Sequence, residues 1–146
     1  MQAIIVGDDR AACSLAERLL NGHHGVSLVV SDPHRADVMA MQFPEALVVC
    51  GSGTDRQSLD HARAMDADTI FALADNDASN IVTCLLAEQL FKIPARMALL
   101  SGADSILAFE TLGIDCLCGP EIIADAMIGH ASAELRAPVE TGNARR

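Results

Sequence analysis

Six short apolar runs recur along the chain, and stretches with helical spacing of apolar residues separate them. The runs are rich in Val, Ile and Leu, which is typical of strands covered on both faces of a parallel sheet. Because strands alternate with helices over short connections, we predict an α/β fold: a doubly wound, Rossmann-like, mostly parallel six-stranded sheet with helices on both faces. The predicted strands are Ala3–Val6, Val26–Val30, Ala46–Cys50, Thr69–Leu73, Arg96–Leu100 and Asp115–Cys118.

Apolar stripes and end signals place three helices. The segment Ala11–Leu20 carries its apolar residues on one face, and Gly22 follows its end. Ile81–Phe91 repeats this pattern, with Asp77 or Ser79 as its predicted N-cap. A last helix is predicted after residues 119–120 and runs to about residue 135.

Composition narrows the class of protein. The 146 residues suit one domain, predicted over 1–135, and we expect the tail 136–146 to fray because it has no apolar period. A formal charge of −10 and 3% aromatic residues argue against nucleic-acid binding. We expect a cytoplasmic protein, since no apolar run could cross a bilayer, no signal peptide precedes the first strand and the five cysteines suit reduced thiols.

The turn after the first predicted strand has the layout of a dinucleotide-binding turn with altered residues. Gly7 makes the turn, and Ala12 is an accepted residue where the helix packs on the strand. Asp9 stands where a glycine would let a pyrophosphate approach, and Asp8 adds a second negative charge. The favoured interpretation is a solvated turn with a helix N-cap, and the alternatives are admission of a cation or exclusion of anions. Arg10 could restore anion binding, although a surface position is the commoner role.

Other polar groups are weaker candidates for a site. Cys116 and Cys118 share one face of a strand, but no further ligands lie near in sequence, so buried structural thiols are favoured over a metal site. A solvated loop is likewise the default for His23-His24. Asp75 and Asp77 resemble a paired carboxylate, and helix capping explains them better. We therefore predict no catalytic residues and no metal site.

Beyond the first turn, the chain contains a series of distinctive stretches: Val49–Asp55, Ala64–Asp68, Ala74–Asn80 with Cys84, Leu112–Asp115 and Pro120-Glu121. Their order and spacing make the chain resemble the N-terminal domain of the RCK family, also called the TrkA N-terminal domain. The resemblance runs from Gln2 to about Glu134 and implies regulation of K⁺ channels or K⁺ transporters from the cytosolic side.

The resemblance also implies a nucleotide site, with NAD(H), ATP, ADP or AMP as candidate ligands. The segment after the third strand would lie beside the adenine, and the end of the fourth strand keeps an acid and an amide, although Ala74 replaces a hydroxyl residue. The family positions retained beyond the first turn are Gly51, Gly53, Thr54, Asp55, Asp77 and Asn80.

Other family positions are altered. Val30 stands where the family has the acid that binds the ribose, although Asp32 could reach the same place after a small register change. Leu99 replaces an arginine that meets phosphate, while Arg96 remains on the same strand. These changes predict that adenine nucleotides bind weakly or not at all. The fifth strand also lacks the acids of the Ca²⁺-gated members, so no calcium site is expected.

Three functions are compatible with these observations. The favoured one is a non-catalytic regulatory domain of K⁺ transport, which partners a membrane channel or transporter subunit. In the family, the helix after the sixth strand crosses to a partner domain, and the apolar Ile122, Ile123 and Met127 predict a homodimer or higher oligomer through it. The alternative is a pseudo-Rossmann interaction module that binds no nucleotide. A small dehydrogenase is disfavoured because the chain has no Tyr and no evident catalytic pair.

Overall fold

The computed structural model describes residues 1–137, which form six strands and six helices. The strands are β1 (Gln2–Val6), β2 (Gly25–Val30), β3 (Leu47–Cys50), β4 (Thr69–Ala72), β5 (Ala95–Leu100) and β6 (Asp115–Cys118). The helices are α1 (Arg10–Asn21), α2 (Pro33–Gln42), α3 (Arg56–His61), α4 (Asp77–Phe91), α5 (Ile106–Glu110) and α6 (Gly119–Arg136). Short 3₁₀ turns at Ala64–Asp66 and Ala103–Ser105 precede β4 and α5.

All six strands are parallel and lie in the order β3-β2-β1-β4-β5-β6. This topology confirms the predicted doubly wound sheet. The chain winds outward from β1 to β3 and then returns to place β4 on the other side of β1. The connections therefore diverge between β1 and β4, and the carboxyl ends of these two strands leave a crevice.

Side chains of successive strand residues point to opposite faces of the sheet, which divides the core. Ile5, Leu28 and Val30 pack under α1 and α2, whereas Ile4 and Ile70 pack under α3 and α4. A third cluster lies under α4 and α5 and contains Ala72, Cys84, Ala98, Leu100 and Ile114. Apolar side chains of β1 thus meet helices on both faces, which explains why its sequence reads as a continuous apolar run.

The ends of the helices follow capping chemistry, with one correction to the sequence prediction. Helix α1 ends at Asn21 with Gly22 as its C-cap, as expected. The N-cap of α4 is neither Asp77 nor Ser79 but Asn76, whose extended backbone lets its side chain accept from the Ser79 amide at 3.0 Å.

Helix α6 begins after Cys118 and continues through Arg136, one residue beyond the predicted end. None of its residues is buried, and Ile123 and Met127 are 61% and 69% exposed. The predicted tail lies outside the described residues from position 138 onward. Within residues 1–137, no helix is long and apolar enough to cross a membrane.

Candidate functional site

A cavity of about 300 Å³ opens at the crevice between the carboxyl ends of β1 and β4. In open α/β sheets, ligands bind at this point because loops diverge there and backbone amides are free. The lining residues are Val6, Gly7, Asp8, Asp9, Val29, Ser31, Gly51, Ser52, Gly53, Thr54, Leu73, Ala74, Asp75, Ser79 and Thr83.

The turn between β1 and α1 forms one wall of the cavity. Gly7 has a φ of +144°, and a Cβ built there would lie 2.7 Å from the carbonyl oxygen of Leu73, so only glycine fits. Asp9 is the N-cap of α1, and its Oδ1 accepts from the Ala12 amide at 2.8 Å. The interpretation of Asp9 as a helix cap is therefore confirmed. The carboxylate occupies the position at a helix N-terminus where a phosphate would otherwise bind.

Asp8 is paired across the turn with a residue that the sequence analysis did not single out. The Arg35 Nη2 donates to the Asp8 carbonyl oxygen at 2.7 Å, and its Nε lies 3.8 Å from the Asp8 carboxylate. Arg35 lies in the first turn of α2, and its amide donates to the side chain of Asp32, the N-cap of that helix. Arg10 is exposed at the first position of α1, and neither arginine is among the residues that line the cavity.

The loop after β3 forms the opposite wall. Gly53 packs so closely on α4 that an added Cβ would lie 2.5 Å from the Thr83 hydroxyl. Thr54 donates its amide to the Ser52 hydroxyl, and the two hydroxyl oxygens are 2.8 Å apart. This loop is therefore fixed by its own hydrogen bonds and by contact with α4.

A second cavity of about 510 Å³ lies beside the first and shares three of its lining residues, Ser31, Gly51 and Ser52. Asp55 and His61 also line it. Asp55 caps α3, and hydrogen bonds from the Ser58 hydroxyl and amide hold its pKa below the ordinary value of 3.8. The Asp55 carboxylate is thus charged under neutral conditions.

Two further predicted residues support the cavity from behind. Asn80 is buried, accepts from the Ala74 amide and donates to the carbonyls of Ala74 and Leu99, so it ties β4 to β5. Asp77 accepts from the amide and hydroxyl of Ser101 at 2.9–3.1 Å. Neither side chain lines the cavity, and both hold its rim in place.

Arg96 lies away from the other predicted site residues. It is the second residue of β5, roughly 13 Å from the carboxyl end of that strand at 3.3 Å per residue. Its guanidinium donates to the carbonyls of Ile93 and Gly113 and lies 3.8 Å from Glu88. The arginine therefore connects β5 with neighbouring loops, and its place on the strand keeps it out of the linings of both cavities.

Val30, which the resemblance places at the ribose, does not line the cavity. Val30 is 1% exposed and packs in the cluster beneath α1 and α2. Strand alternation instead brings Val29 and Ser31 to the cavity, while Asp32 caps the next helix. Ser31 is thus the residue at the end of β2 that a ligand would meet.

The structure brings six of the predicted residues together in the first cavity, and Asp55 in the second. The six are Gly7, Asp8, Asp9, Gly51, Gly53 and Thr54. Sequence reasoning missed Ser31, Ser79 and Thr83 as lining residues and assigned Asp75 to capping. Their signal is position: Ser31 comes directly after β2, Asp75 lies in the loop between β4 and α4, and Ser79 and Thr83 lie in the first two turns of α4.

The chemistry of the first cavity is acidic and rich in hydroxyl groups. Its charged lining residues are all carboxylates, and the lining contains no Lys, Arg, His or Cys. Across residues 1–137, no group of three or more His, Cys, Asp or Glu is placed to hold a metal ion. Burial raises the pKa of the Cys84 thiol to about 12 and also raises that of Cys116, which fits structural thiols.

The sequence pattern of the TrkA-N domain family matches residues 3–120 of this chain, from β1 to the beginning of α6. The chain belongs to the TrkA-N domain family. This match confirms the resemblance found in the sequence.

Two relatives carry the same assignment in their names. A Trk system potassium uptake protein TrkA homolog from Methanothermobacter thermautotrophicus is 31% identical over 92% of this chain and 68% of that protein. A Trk system potassium uptake protein TrkA from Azorhizobium caulinodans is 28% identical over 88% of this chain. This chain spans 29% of the latter protein.

Solved structures share the fold at lower identity. The TrkA-N domain of the inner membrane protein YbaL from Escherichia coli has a TM-score of 0.78 and 18% identity, covering 93% of this chain and 96% of that domain. The Kef C-terminal domain from Shewanella denitrificans in its AMP-bound form has a TM-score of 0.78 and 17% identity, covering 94% and 83%. The first of these supports the Rossmann-like architecture directly, since it is a TrkA-N domain over nearly its whole length.

Proposed function

We propose that this chain is a regulatory domain of a K⁺ channel or K⁺ transporter that acts on the cytoplasmic side of the membrane and catalyses no reaction. The observation that carries the proposal is the TrkA-N match over residues 3–120, together with relatives named as K⁺ uptake proteins. The cavity lining supports a non-catalytic role, because no side chain there pairs a nucleophile with a base. A small dehydrogenase is the weaker candidate, because the chain has no Tyr and no evident catalytic pair.

A homodimer, or a dimer of dimers, forms part of the proposal. Three large apolar side chains of helix α6 are exposed to solvent: Ile122, Ile123 and Met127. Beside it, Leu99 of β5 and Leu117 of β6 point to the sheet face opposite the third core cluster, and Leu117 is 41% exposed. Parallel sheets are normally covered on both faces, so this surface suits a second copy of the chain.

The proposal includes a nucleotide site whose residues have changed so that it binds adenine nucleotides weakly or not at all. NAD(H), ATP, ADP and AMP should bind with dissociation constants no tighter than the high micromolar range. Asp9 already satisfies the helix amide that would meet a phosphate, and Asp8 and Asp75 add negative charge to the wall. A unit charge at 6 Å in water-like surroundings costs roughly 0.7 kcal/mol per like-charged partner. Three carboxylates can therefore offset much of the gain from a phosphate.

A pseudo-Rossmann interaction module is the second candidate. The cap from Asp9 favours it, because the chain completes its own helix N-terminus without a ligand. Such a module would act through assembly alone, whereas a sensor would act through different affinities of its ligand for two arrangements of the assembly.

K⁺ uptake by cells of the source organism tests the proposed role. Deleting the gene should change the rate of K⁺ uptake, and the full wild-type chain should restore it. A chain with Ile123→Asp should fail to restore uptake, whereas Met65→Asp, which changes an exposed methionine in the 3₁₀ turn between α3 and β4, should succeed. Uptake that is unaffected by the deletion would contradict the proposal.

A further inference from the structure

A groove of about 290 Å³ lies where α1 and α2 end, in the layer of helices that covers β1 and β2. Helices that connect parallel strands return to the amino ends of the strands, so this groove and the crevice lie at opposite ends of the sheet. We infer that this α1–α2 groove binds an arginine side chain from a cytoplasmic segment of a membrane K⁺ transport subunit. The identity of the partner rests on the proposed function, whereas the preference for arginine rests on the residues of the groove.

The end of α2 leaves backbone carbonyls without donors. Pro44 has no N–H, so the carbonyl of Ala40, four residues earlier, has no helical partner. Within residues 1–137, no amide donates to the carbonyls of Met41 and Gln42, and the last turn of α2 carries no basic residue. By contrast, residues 22–24 donate their amides to three carbonyls in the last turn of α1. Helix α2 therefore presents an uncompensated negative end, which attracts a cation.

Two carboxylates add to the negative potential of the groove. Glu17 belongs to α1, Glu45 lies between α2 and β3, and both side chains are exposed. Neither forms an ion pair among the described residues. The lining of the groove contains no Lys, Arg or His. A positive group from outside the chain would therefore meet two free carboxylates beside the end of a helix.

The floor of the groove is apolar, which selects the kind of cation. Leu20 and Phe43 belong to the core cluster beneath α1 and α2, and Pro44 lies beside them in the lining. An inorganic ion gains nothing from such a floor, whereas a long basic side chain can lay its methylene groups on it and keep its charged head at the rim. A guanidinium has five N–H donors in a planar fork, so it can reach carbonyl and carboxylate oxygens together. Arginine therefore fits this groove better than lysine does.

The charge of the whole chain agrees with a membrane subunit as the source of that arginine. Cytoplasmic loops of membrane proteins carry an excess of Lys and Arg, and this chain has a formal charge of −10. The groove shares no lining residue with the first cavity and includes no residue of α6. A membrane subunit can thus bind here without displacing a ligand from the cavity or a second copy from α6.

Two peptides that differ only in charge test the preference for arginine. They are acetyl-Ala-Arg-Leu-Arg-Ala-amide and the same sequence with citrulline, an uncharged analogue of similar shape, in place of each arginine. Added to the isotope-labelled full chain, the arginine peptide should shift the amide NMR signals of Leu20, Asn21 and Phe43 and leave those of Gly51 and Gly53 unchanged. The citrulline peptide should bind roughly tenfold more weakly, because each exposed carboxylate contributes a few-fold. Salt at 0.5 M should reduce this ratio, since it screens exposed charges.

Charge-neutral variants locate the effect. Glu17→Gln combined with Glu45→Gln removes both carboxylates and keeps side chains of nearly the same shape. Because both glutamates are exposed, the variant should fold, and its preference for the arginine peptide should fall to about twofold, the share left by the end of α2. The matched control is Glu110→Gln, an exposed glutamate at the last position of α5 and outside the groove, which should keep the tenfold preference.

The uptake experiment tests the identity of the partner. The full chain with both glutamine substitutions should restore K⁺ uptake less well than the wild type, and light scattering should show the same oligomeric state for both. The chain with Glu110→Gln should restore uptake as the wild type does.

Different results would overturn the inference and the proposed function. Equal binding of the two peptides, or shifts confined to the first cavity, would overturn the inference and leave the proposed function intact. Full restoration of uptake by the double variant would likewise overturn it, because the groove would then not serve the membrane subunit. An uptake rate that does not respond to deletion of the gene would contradict the proposed function itself, and with it the membrane subunit as the partner.

Discussion

The two sides of the sheet differ in how much of their apolar surface the chain covers by itself. Around β1 and β2, residues such as Ile5, Leu28 and Val30 are buried beneath α1 and α2. Around β5 and β6, the same face carries Leu117, which is 41% exposed, and none of the residues of the neighbouring α6 is buried. In the proposed dimer, the two regions differ in what covers them: helices α1 and α2 of the same chain cover β1 and β2, and a second copy covers β5 and β6.

An aspartate placed on this face should affect folding in one region and dimerisation in the other. Of the predicted effects, the loss of stability in the covered region is the largest. Val30→Asp would bury an unpaired carboxylate under α1 and α2, which should cost at least about 3 kcal/mol of unfolding free energy and lower the Tm by roughly 10 °C. Leu117→Asp, on the uncovered side, should leave the stability of the monomer almost unchanged and weaken dimerisation. Denaturant unfolding and light scattering measure the two outcomes.

Equal destabilisation by both substitutions in the monomeric state would contradict this division of the sheet. A useful control is Ser31→Asp, adjacent to Val30 in sequence and exposed at the cavity. It should fold normally, because its side chain already faces solvent.

The next effect concerns α6 itself. Ile123→Asp or Met127→Asp should shift the dimer to monomer, since a charge without a partner at an apolar interface costs several kcal/mol. Met65→Asp changes an equally exposed methionine near α3 and should leave the dimer intact. Light scattering across a concentration series would decide between them. A wild-type chain that stays monomeric at high concentration would count against the proposed assembly.

The strands of the sheet could be predicted from the sequence, because a strand that is buried on both faces must consist almost entirely of apolar residues. The predicted β6, Asp115–Cys118, has the observed bounds, and the predicted end of β4 differs by one residue. Helix α3 could not be located in the same way. Its six residues contain one large apolar side chain, Leu59, so no stripe marks it, and its cap at Asp55 is recognisable only once the loop is known.

The site was harder to predict because it depends on which face and which end of a strand a residue occupies. Matching Asp32 to the family's second acid placed Val30 at the ribose position, whereas alternation along β2 buries Val30 and exposes Ser31. Arg96 was considered a phosphate ligand because it lies on the correct strand, but it stands near the wrong end. Asp9 was interpreted correctly, since its effect is local and follows from helix capping alone.

The smallest effect tests whether the loop after β3 is held by the charge of Asp55. Hydrogen bonds from Ser58 keep its folded pKa below 3.8, so the ionised carboxylate stabilises the fold above that pH. This contribution is lost as the pH falls through the folded pKa, because the unfolded state then binds the proton more readily. Asp55→Asn retains a helix cap and removes the titration. The Tm of the wild type should therefore exceed that of the variant at pH 7, and the gap should narrow at pH 3.

Asp60→Asn, on the exposed side of α3, serves as the control, and the difference between its Tm and that of the wild type should change less with pH. If Asp55→Asn and the wild type lost stability in parallel on acidification, the hydrogen bonds to Ser58 would not depend on the charge of Asp55, and the loop would owe its order to the packing of Gly53 on Thr83 instead.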